Sequence, residues 1–209
     1  MHISITVIGA TGRTGSLVVA EGIGRDHHVT AFTRRPRRLP EQTRPAAVVT
    51  GDGRDPAAVR TAIDGADAVI AIIAAAGRGG PHQAAEVAAV LVDAMADLGV
   101  ARLVVTSAYP IVARQPRLPM ALLRRVLADA YADATRMERT VAGSGLDWTI
   151  VRLNRLLDAP ARGGTQYSTG QLERPTALTR ADAAALLLDI AADPTTARHA
   201  INAAGPTRR

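Results

Sequence analysis

Residues 7–15 read Val-Ile-Gly-Ala-Thr-Gly-Arg-Thr-Gly, which sets Gly9, Gly12 and Gly15 at G-x-x-G-x-x-G spacing. A turn of this kind suits a diphosphate. Gly9 permits a tight reversal, Gly12 lets backbone N–H groups approach a ligand with no Cβ between, and Gly15 lets a helix pack close to a sheet. The start of that helix adds unpaired N–H groups and a partial positive charge. The spacing is one residue longer than the G-x-G-x-x-G form, so its weight comes from its place directly after an N-terminal apolar run. Thr11, Arg13 and Thr14 lie in the same turn and join the candidate cofactor-binding set.

Further along stands Thr33-Arg34-Arg35-Pro36-Arg37-Arg38. An acidic residue near this point binds the ribose 2′-hydroxyl of NAD, and here threonine and arginine take its place. A guanidinium fork suits the 2′-phosphate of NADP and stacks on adenine. Arg34 and Arg35 are therefore expected to select NADP(H), with Arg13 able to reach the same phosphate. Arg37 and Arg38 read as solvated. Gly51-Asp52-Gly53 offers a carboxylate for the adenine amino group and small residues beside the base. Ala74-Ala75-Ala76-Gly77 leaves room for the ribose and the cofactor backbone.

Other chemistry is sparse. The five histidines, His2, His27, His28, His82 and His199, make no metal-ligand pattern, and no metal is expected. His82 lies where it would border the substrate side. No G-x-S-x-G elbow is present. Cysteine is absent and every one of the 25 basic residues is arginine, which excludes a thiol nucleophile, a disulfide and Schiff-base chemistry.

The elements that would position these groups alternate between short β-branched runs and longer alanine-rich stretches, the pattern of a parallel α/β sheet. Strands are expected at His2–Ile8, His28–Thr33, Ala47–Thr50, Asp67–Ala74, Ala101–Thr106 and Trp148–Arg152, with a final edge strand at Ala200–Ala203. Helices are expected at Gly12–Gly24, Asp55–Asp64, Pro81–Leu98, Met120–Ala142 and Thr179–Ala192. Asp55 reads as an N-cap before Pro56, Gly99 as a helix stop, and Asp182 as a helix-capping or fold-stabilising residue. The expectation is a single domain over residues 1–209. It is α/β with a Rossmann-type, doubly wound, mostly parallel sheet and helices on both faces. Residues 108–119 and 153–178 form its substrate side, because ligands sit beyond the carboxyl ends of the strands.

With 209 residues, 47% hydrophobic and 21% charged, a folded core is expected and long disorder is not. The apolar runs are too short to cross a bilayer, and the N-terminal stretch lacks signal-peptide organisation, so a cytoplasmic protein without a membrane role is expected. The net charge of +6 points weakly to nucleic acid, and an aromatic content of 2% removes the stacking platforms such binding would use.

The chain resembles the atypical short-chain dehydrogenase/reductase superfamily, most closely its NAD(P)H-binding, NmrA-like and flavin-reductase-like members. The resemblance rests on Gly9–Gly15, Gly51-Asp52, Val104-Val105-Thr106-Ser107, Gly145 through Arg152, and Thr179 through Ala184. It implies a nicotinamide cofactor, with Ser107 and Tyr131 in the places of the family's catalytic serine and tyrosine. The lysine of Tyr-x-x-x-Lys is Thr135 here, so no nearby cation lowers the tyrosine pKa and standard alcohol dehydrogenation is disfavoured. Ser107 would serve both catalysis and cofactor. Tyr109 borders the same crevice. The late strand continues as Leu153-Asn154 where the family often has Pro-Gly, placing both at the nicotinamide side. Arg155 then reads either as a contact to an anionic acceptor or as a solvated residue.

These features imply an NADPH-dependent oxidoreductase that passes hydride to a flavin, a quinone or a similar small acceptor. Two alternatives stay open: a non-catalytic NADP(H)-binding redox sensor or regulator of NmrA type, and a non-redox biosynthetic enzyme on the same fold. The expected partner is a small-molecule acceptor. A homodimer through the long helices after the fourth and fifth strands is compatible with the sequence.

Overall fold

The computed structural model describes residues 2–41, 43–73, 83–113 and 125–207. Its strands are β1 (Ser4–Ile8), β2 (His28–Thr33), β3 (Ala47–Thr50), β4 (Ala68–Ala71), β5 (Arg102–Ala108) and β6 (Asp147–Leu153). They continue with β7 (Leu156–Leu157), β8 (Gln166–Ser168), β9 (Leu178–Thr179) and β10 (His199–Ala204). The helices are α1 (Gly15–Gly24), α2 (Pro56–Ile63), α3 (Ala84–Leu98), α4 (Ala128–Ala142) and α5 (Arg180–Ala192).

The main sheet runs β3-β2-β1-β4-β5-β6-β10-β8. Its pairings are parallel except the last, where β8 lies antiparallel to β10. Strand order reverses between β1 and β4, the switch point where a doubly wound sheet opens a crevice.

Side-chain alternation along the strands divides the core in two. Ile5, Val7, Ala68 and Ile70 face one side, with Val18 and Val19 of α1 and Leu187, Leu188 and Ile190 of α5. Ile8, Val69, Ala71, Leu103 and Val105 face the other, with Val59 and Ile63 of α2, Leu91 and Met95 of α3 and Met137 and Val141 of α4. Both faces are covered, which is why β4 reads as an unbroken apolar run. Among the described residues no helix is long and apolar enough to cross a membrane.

The ends of the elements follow identifiable contacts. Asp55 caps α2 by accepting from the Ala57 and Ala58 amides at 3.0 and 3.4 Å. Thr179 caps α5 by accepting from the Asp182 amide at 3.0 Å. Gly99 ends α3 in the left-handed conformation at φ +71°. Arg102, partly buried, donates to the Ile190 carbonyl in the last turn of α5, to the Asp147 carbonyl at 2.8 Å and to Thr149 Oγ1 at 2.9 Å. That one guanidinium ties α5 to the start of β6.

Three expectations are corrected. The first helix begins at Gly15 rather than Gly12, because residues 9–14 remain a turn. The N-terminal strand begins at Ser4, with the Ile3 carbonyl accepting from the His28 amide just before it and the His2 ring turned to the Asp26 carbonyl. The last strand is not at the edge: β8 pairs beyond it, with Asn202 opposite Ser168, and covers its free side. The N-terminal part of the expected Met120–Ala142 helix, up to residue 124, lies outside the described residues.

Candidate functional site

The glycine turn sits at the switch point. Gly9 has φ +83°, and a Cβ there would stand 2.5 Å from the Ile72 carbonyl oxygen at the end of β4. A Cβ on Gly15 would overlap the Gly9 carbonyl. Both positions therefore require glycine for the turn and for the approach of α1. Gly12 donates its amide to the Gly9 carbonyl at 3.0 Å and opens onto a cavity.

Thr33 fixes the next part. Its buried hydroxyl lies 2.6 Å from Thr11 Oγ1 and accepts from the Arg35 amide at 3.0 Å. The end of β2 is thereby pinned to the glycine turn, and Arg34 and Arg35 are left exposed beside it. Arg34 stands 3.8 Å from Asp52. Asp52 is taken up mainly by Arg54, accepting from its amide and Nε at 3.0 Å and from Nη2 at 3.1 Å. Those bonds to Arg54 pull the Asp52 carboxyl down to about 2.

The neighbouring glycines serve packing. A Cβ on Gly51 would meet Ala58 at 2.5 Å and Phe32 at 2.9 Å, and one on Gly53 would meet Val87 at 2.8 Å. The sequence suggested that they clear space for a base, whereas protein atoms fill the Cβ direction at both.

A cavity of about 670 Å³ opens from the glycine turn toward β5, β6 and α4. Gly12, Arg13 and Thr14 form one wall, Ile72 and Ile73 the floor, and Ser107, Tyr131, Ala134 and Met137 the far side. Leu153, Asn154 and Arg155 close it together with Leu156 and Arg180. The turn, Ser107, Tyr131 and the residues after β6 are thus brought to one space.

Ser107 is not a free hydroxyl. Its Oγ donates to Glu138 Oε1 at 2.6 Å. Glu138 in turn accepts from Arg152, whose Nη2 lies 2.6 Å from Oε2 and whose Nε lies 3.0 Å from Oε1. Ser107 and Arg152 are register partners across β5 and β6, so they share a face of the sheet, and α4 lowers Glu138 onto that face. Glu138 was missed in the sequence. The signal for it was its place seven residues after Tyr131 on a helix, facing a strand that carries a buried-run arginine.

Other candidates fall differently. Thr135, in the lysine place, spends its hydroxyl on the Tyr131 carbonyl at 2.7 Å. Tyr109 is buried, and its hydroxyl meets Gln171 Oε1 at 3.4 Å and the Leu172 amide at 3.3 Å. It holds the loop after β8 and does not line the cavity, contrary to the expectation that it borders the crevice. Asn154 lines the cavity while donating to the Thr176 carbonyl at 2.8 Å. Arg155 is exposed at the mouth and has no ion pair among the described residues. Ala74, Ala75 and His82 lie outside the described residues.

Two acidic residues work structurally. Burial pushes the Asp182 carboxyl up, but bonds from Thr179 and from the Arg162 and Gly163 amides outweigh it and leave the group below its ordinary value. Asp133 of α4 is buried and accepts from the Ala84 and Ala85 amides at 2.8 and 3.3 Å. It caps α3 from a different helix, a role that no local sequence pattern announces.

The sequence profile of the NAD(P)H-binding family matches residues 9–194. Among solved structures, the chain is similar to a short-chain dehydrogenase/reductase from Veillonella parvula DSM 2008, with a TM-score of 0.86, 20% identity and coverage of 99% of this chain and 95% of that one. A second Veillonella parvula structure, of a short-chain dehydrogenase/reductase in complex with NADP, gives 0.83 at 21% identity, covering 99% and 96%. An anaerobilin reductase from Escherichia coli O157:H7 gives 0.80 at 22% identity, covering 99% and 98%. At these identities the likeness is one of fold.

Proposed function

The chain belongs to the NAD(P)H-binding family, and from that premise we propose that it is an NADPH-dependent oxidoreductase that delivers hydride to a small conjugated acceptor of the flavin or quinone class. The glycine cradle fits the cofactor: at Gly9 and Gly15 a side chain would strike the turn itself, and the turn opens onto the cavity. The choice of NADPH over NADH is supported by the exposed Arg34 and Arg35 beside a threonine that stands where an acid would read the ribose. A neighbour of the same fold bound to NADP supports it as well.

The observation that carries the choice of acceptor is the state of the catalytic positions. The Ser107 proton is committed to Glu138, and Thr135 is committed to the helix backbone. The chain contains no lysine to assist Tyr131. A ketone or alcohol needs a strong proton partner at the carbonyl, whereas a conjugated acceptor spreads the incoming charge itself.

The cofactor supplies the hydride when bound. The glycine turn and the start of α1 would hold its phosphates, and Arg34 and Arg35 would hold the 2′-phosphate. With its proton held by Glu138, the Ser107 oxygen presents lone pairs to the cavity and accepts from a donor on the acceptor or on the nicotinamide amide. Tyr131 stands on the same wall as a hydrogen-bond donor. Ile72, Ile73 and Met137 exclude water from an apolar ring. The balance is NADPH, acceptor and one proton going to NADP⁺ and the two-electron-reduced acceptor, with the proton drawn from solvent through the open mouth. A neighbour described as an anaerobilin reductase supports a reductase reading of this fold.

The same committed hydroxyls favour a second reading, a protein that holds NADP(H) and signals its redox state without turnover. NADPH oxidation, followed at its absorbance with FMN, riboflavin and small quinones at saturating cofactor, separates the two. Enzyme-dependent consumption is expected. Saturable NADPH binding with no consumption by any acceptor in the panel would favour the sensor.

A further inference from the structure

The short pair β7 and β9 places two charged residues together. The strands run parallel with Leu157 opposite Thr179, so the residues that follow, Asp158 and Arg180, leave the ladder side by side. Arg180 Nε donates to Asp158 Oδ1 at 2.8 Å. Arg13, from the glycine turn, pairs with the other oxygen, Asp158 Oδ2. The Arg180 side chain is only 14% exposed, while Asp158 is half exposed at 52%. Both arginines line the main cavity.

One carboxylate thus bridges guanidinium groups from two distant elements, on the wall of the cavity that the diphosphate turn opens. The expectation that Arg13 joins Arg34 at the 2′-phosphate is not the arrangement here: Arg34 faces Asp52, and Arg13 faces Asp158. The Asp158 carboxylate and Arg13 are exposed, so their pair is weak, and a guanidinium binds a phosphate in the same forked geometry as a carboxylate, with more charge.

We propose that Arg13 and Arg180 form an anion seat that Asp158 fills from within the chain and that a phosphate or carboxylate group of a bound ligand takes over. The inference rests on the NAD(P)H-binding reading of the cavity. The shared chemistry is an oxyanion held by two guanidinium groups. It has two sources: the diphosphate of the cofactor, or an anionic group of the acceptor. On arrival of either, Asp158 turns to solvent and both arginines keep an anionic partner.

The test measures NADPH affinity by calorimetry, inorganic pyrophosphate as a competitor, and KM for FMN against riboflavin. The variants are Asp158→Asn, Arg180→Gln and, as a charge-matched control, Asp189→Asn, whose partner Arg25 sits at the opposite end of α1. Melting curves confirm that each is folded. Asp158→Asn is expected to tighten NADPH and pyrophosphate about fivefold. Arg180→Gln is expected to weaken both about tenfold, and Asp189→Asn to change neither. If Asp158→Asn leaves NADPH unchanged but lowers KM for FMN and not for riboflavin, the seat takes the acceptor's phosphate. If Asp158→Asn changes none of these, weakens them, or matches Asp189→Asn, the seat is overturned. Wild-type protein that binds pyrophosphate but not NADPH would sink the cofactor reading instead, and the effect of Asp158→Asn on pyrophosphate would still test the seat.

Discussion

The two ends of the cleft are built in different ways. The glycine-turn end comes from short contiguous stretches, residues 9–15 and 33–35, and its main devices are backbone turns and a helix start. The far end comes from single side chains on separate elements: Ser107 on β5, Glu138 on α4 and Arg152 on β6 meet in one partly buried cluster. A site made of backbone tolerates side-chain change except where glycine is required. A site made of converging side chains depends on each charge keeping its partner.

The largest effect is expected at the Ser107–Glu138–Arg152 cluster. Glu138→Leu leaves the Arg152 guanidinium without its carboxylate in a largely buried place, which costs about 4 kcal/mol of stability. Urea denaturation measures it, and adding Arg152→Leu should recover much of the loss. A loss well below about 1 kcal/mol would mean that the cluster is wet and that the contrast between the ends is weaker than drawn.

At the glycine-turn end, Gly15→Ala drives a methyl into the Gly9 carbonyl, costs about 3 kcal/mol and weakens NADPH binding. A matching change at Gly24, where a Cβ would meet nothing, should leave cofactor affinity unchanged in the same titration.

A smaller, more selective effect is expected from Arg34→Ala with Arg35→Ala. NADPH binding should weaken by about 2 kcal/mol, roughly thirtyfold, with NADH little affected. Equal losses for both cofactors would remove the basis for NADPH selection.

The smallest effect is in acid. The Asp52 carboxyl is pulled to about 2, so its contribution to stability is complete above the ordinary value of 3.8 and is lost as pH falls through about 2. Asp52→Asn should flatten the stability curve over that window, lower it by a constant amount near neutrality and converge with the wild type in acid.

This contrast also explains what could be read in advance. β2 and β3 lie where the sequence pattern put them, because both the largely buried β2 and the exposed edge strand β3 write their limits in β-branched residues. The diphosphate turn was legible because glycine spacing is a local code. The start of α1 was not, since only the three-dimensional turn shows that residues 12–14 stay outside the helix. Asp133 was invisible because its partners, the Ala84 and Ala85 amides, are about fifty residues away, and Glu138 carried only the faint signal of its helical spacing from Tyr131. Tyr109 was placed by its nearness to Ser107 in sequence, yet the chain turns it toward Gln171 and Leu172. Gly51 and Gly53 were assigned to a ligand that the packing of α2 and α3 already explains.

The helix α4 carries two interleaved sets of residues. Asp133 and Glu138 fasten it, one to the start of α3 and the other to the β5–β6 face. Tyr131, Ala134 and Met137 instead face the cavity. Fastening and cavity-lining residues therefore interleave on neighbouring positions, with Glu138 one turn beyond Ala134 and two beyond Tyr131. Such a helix is evolvable: exchanges at 131 and 134 would recut the cavity wall while the bolts at 133 and 138 keep the scaffold in register.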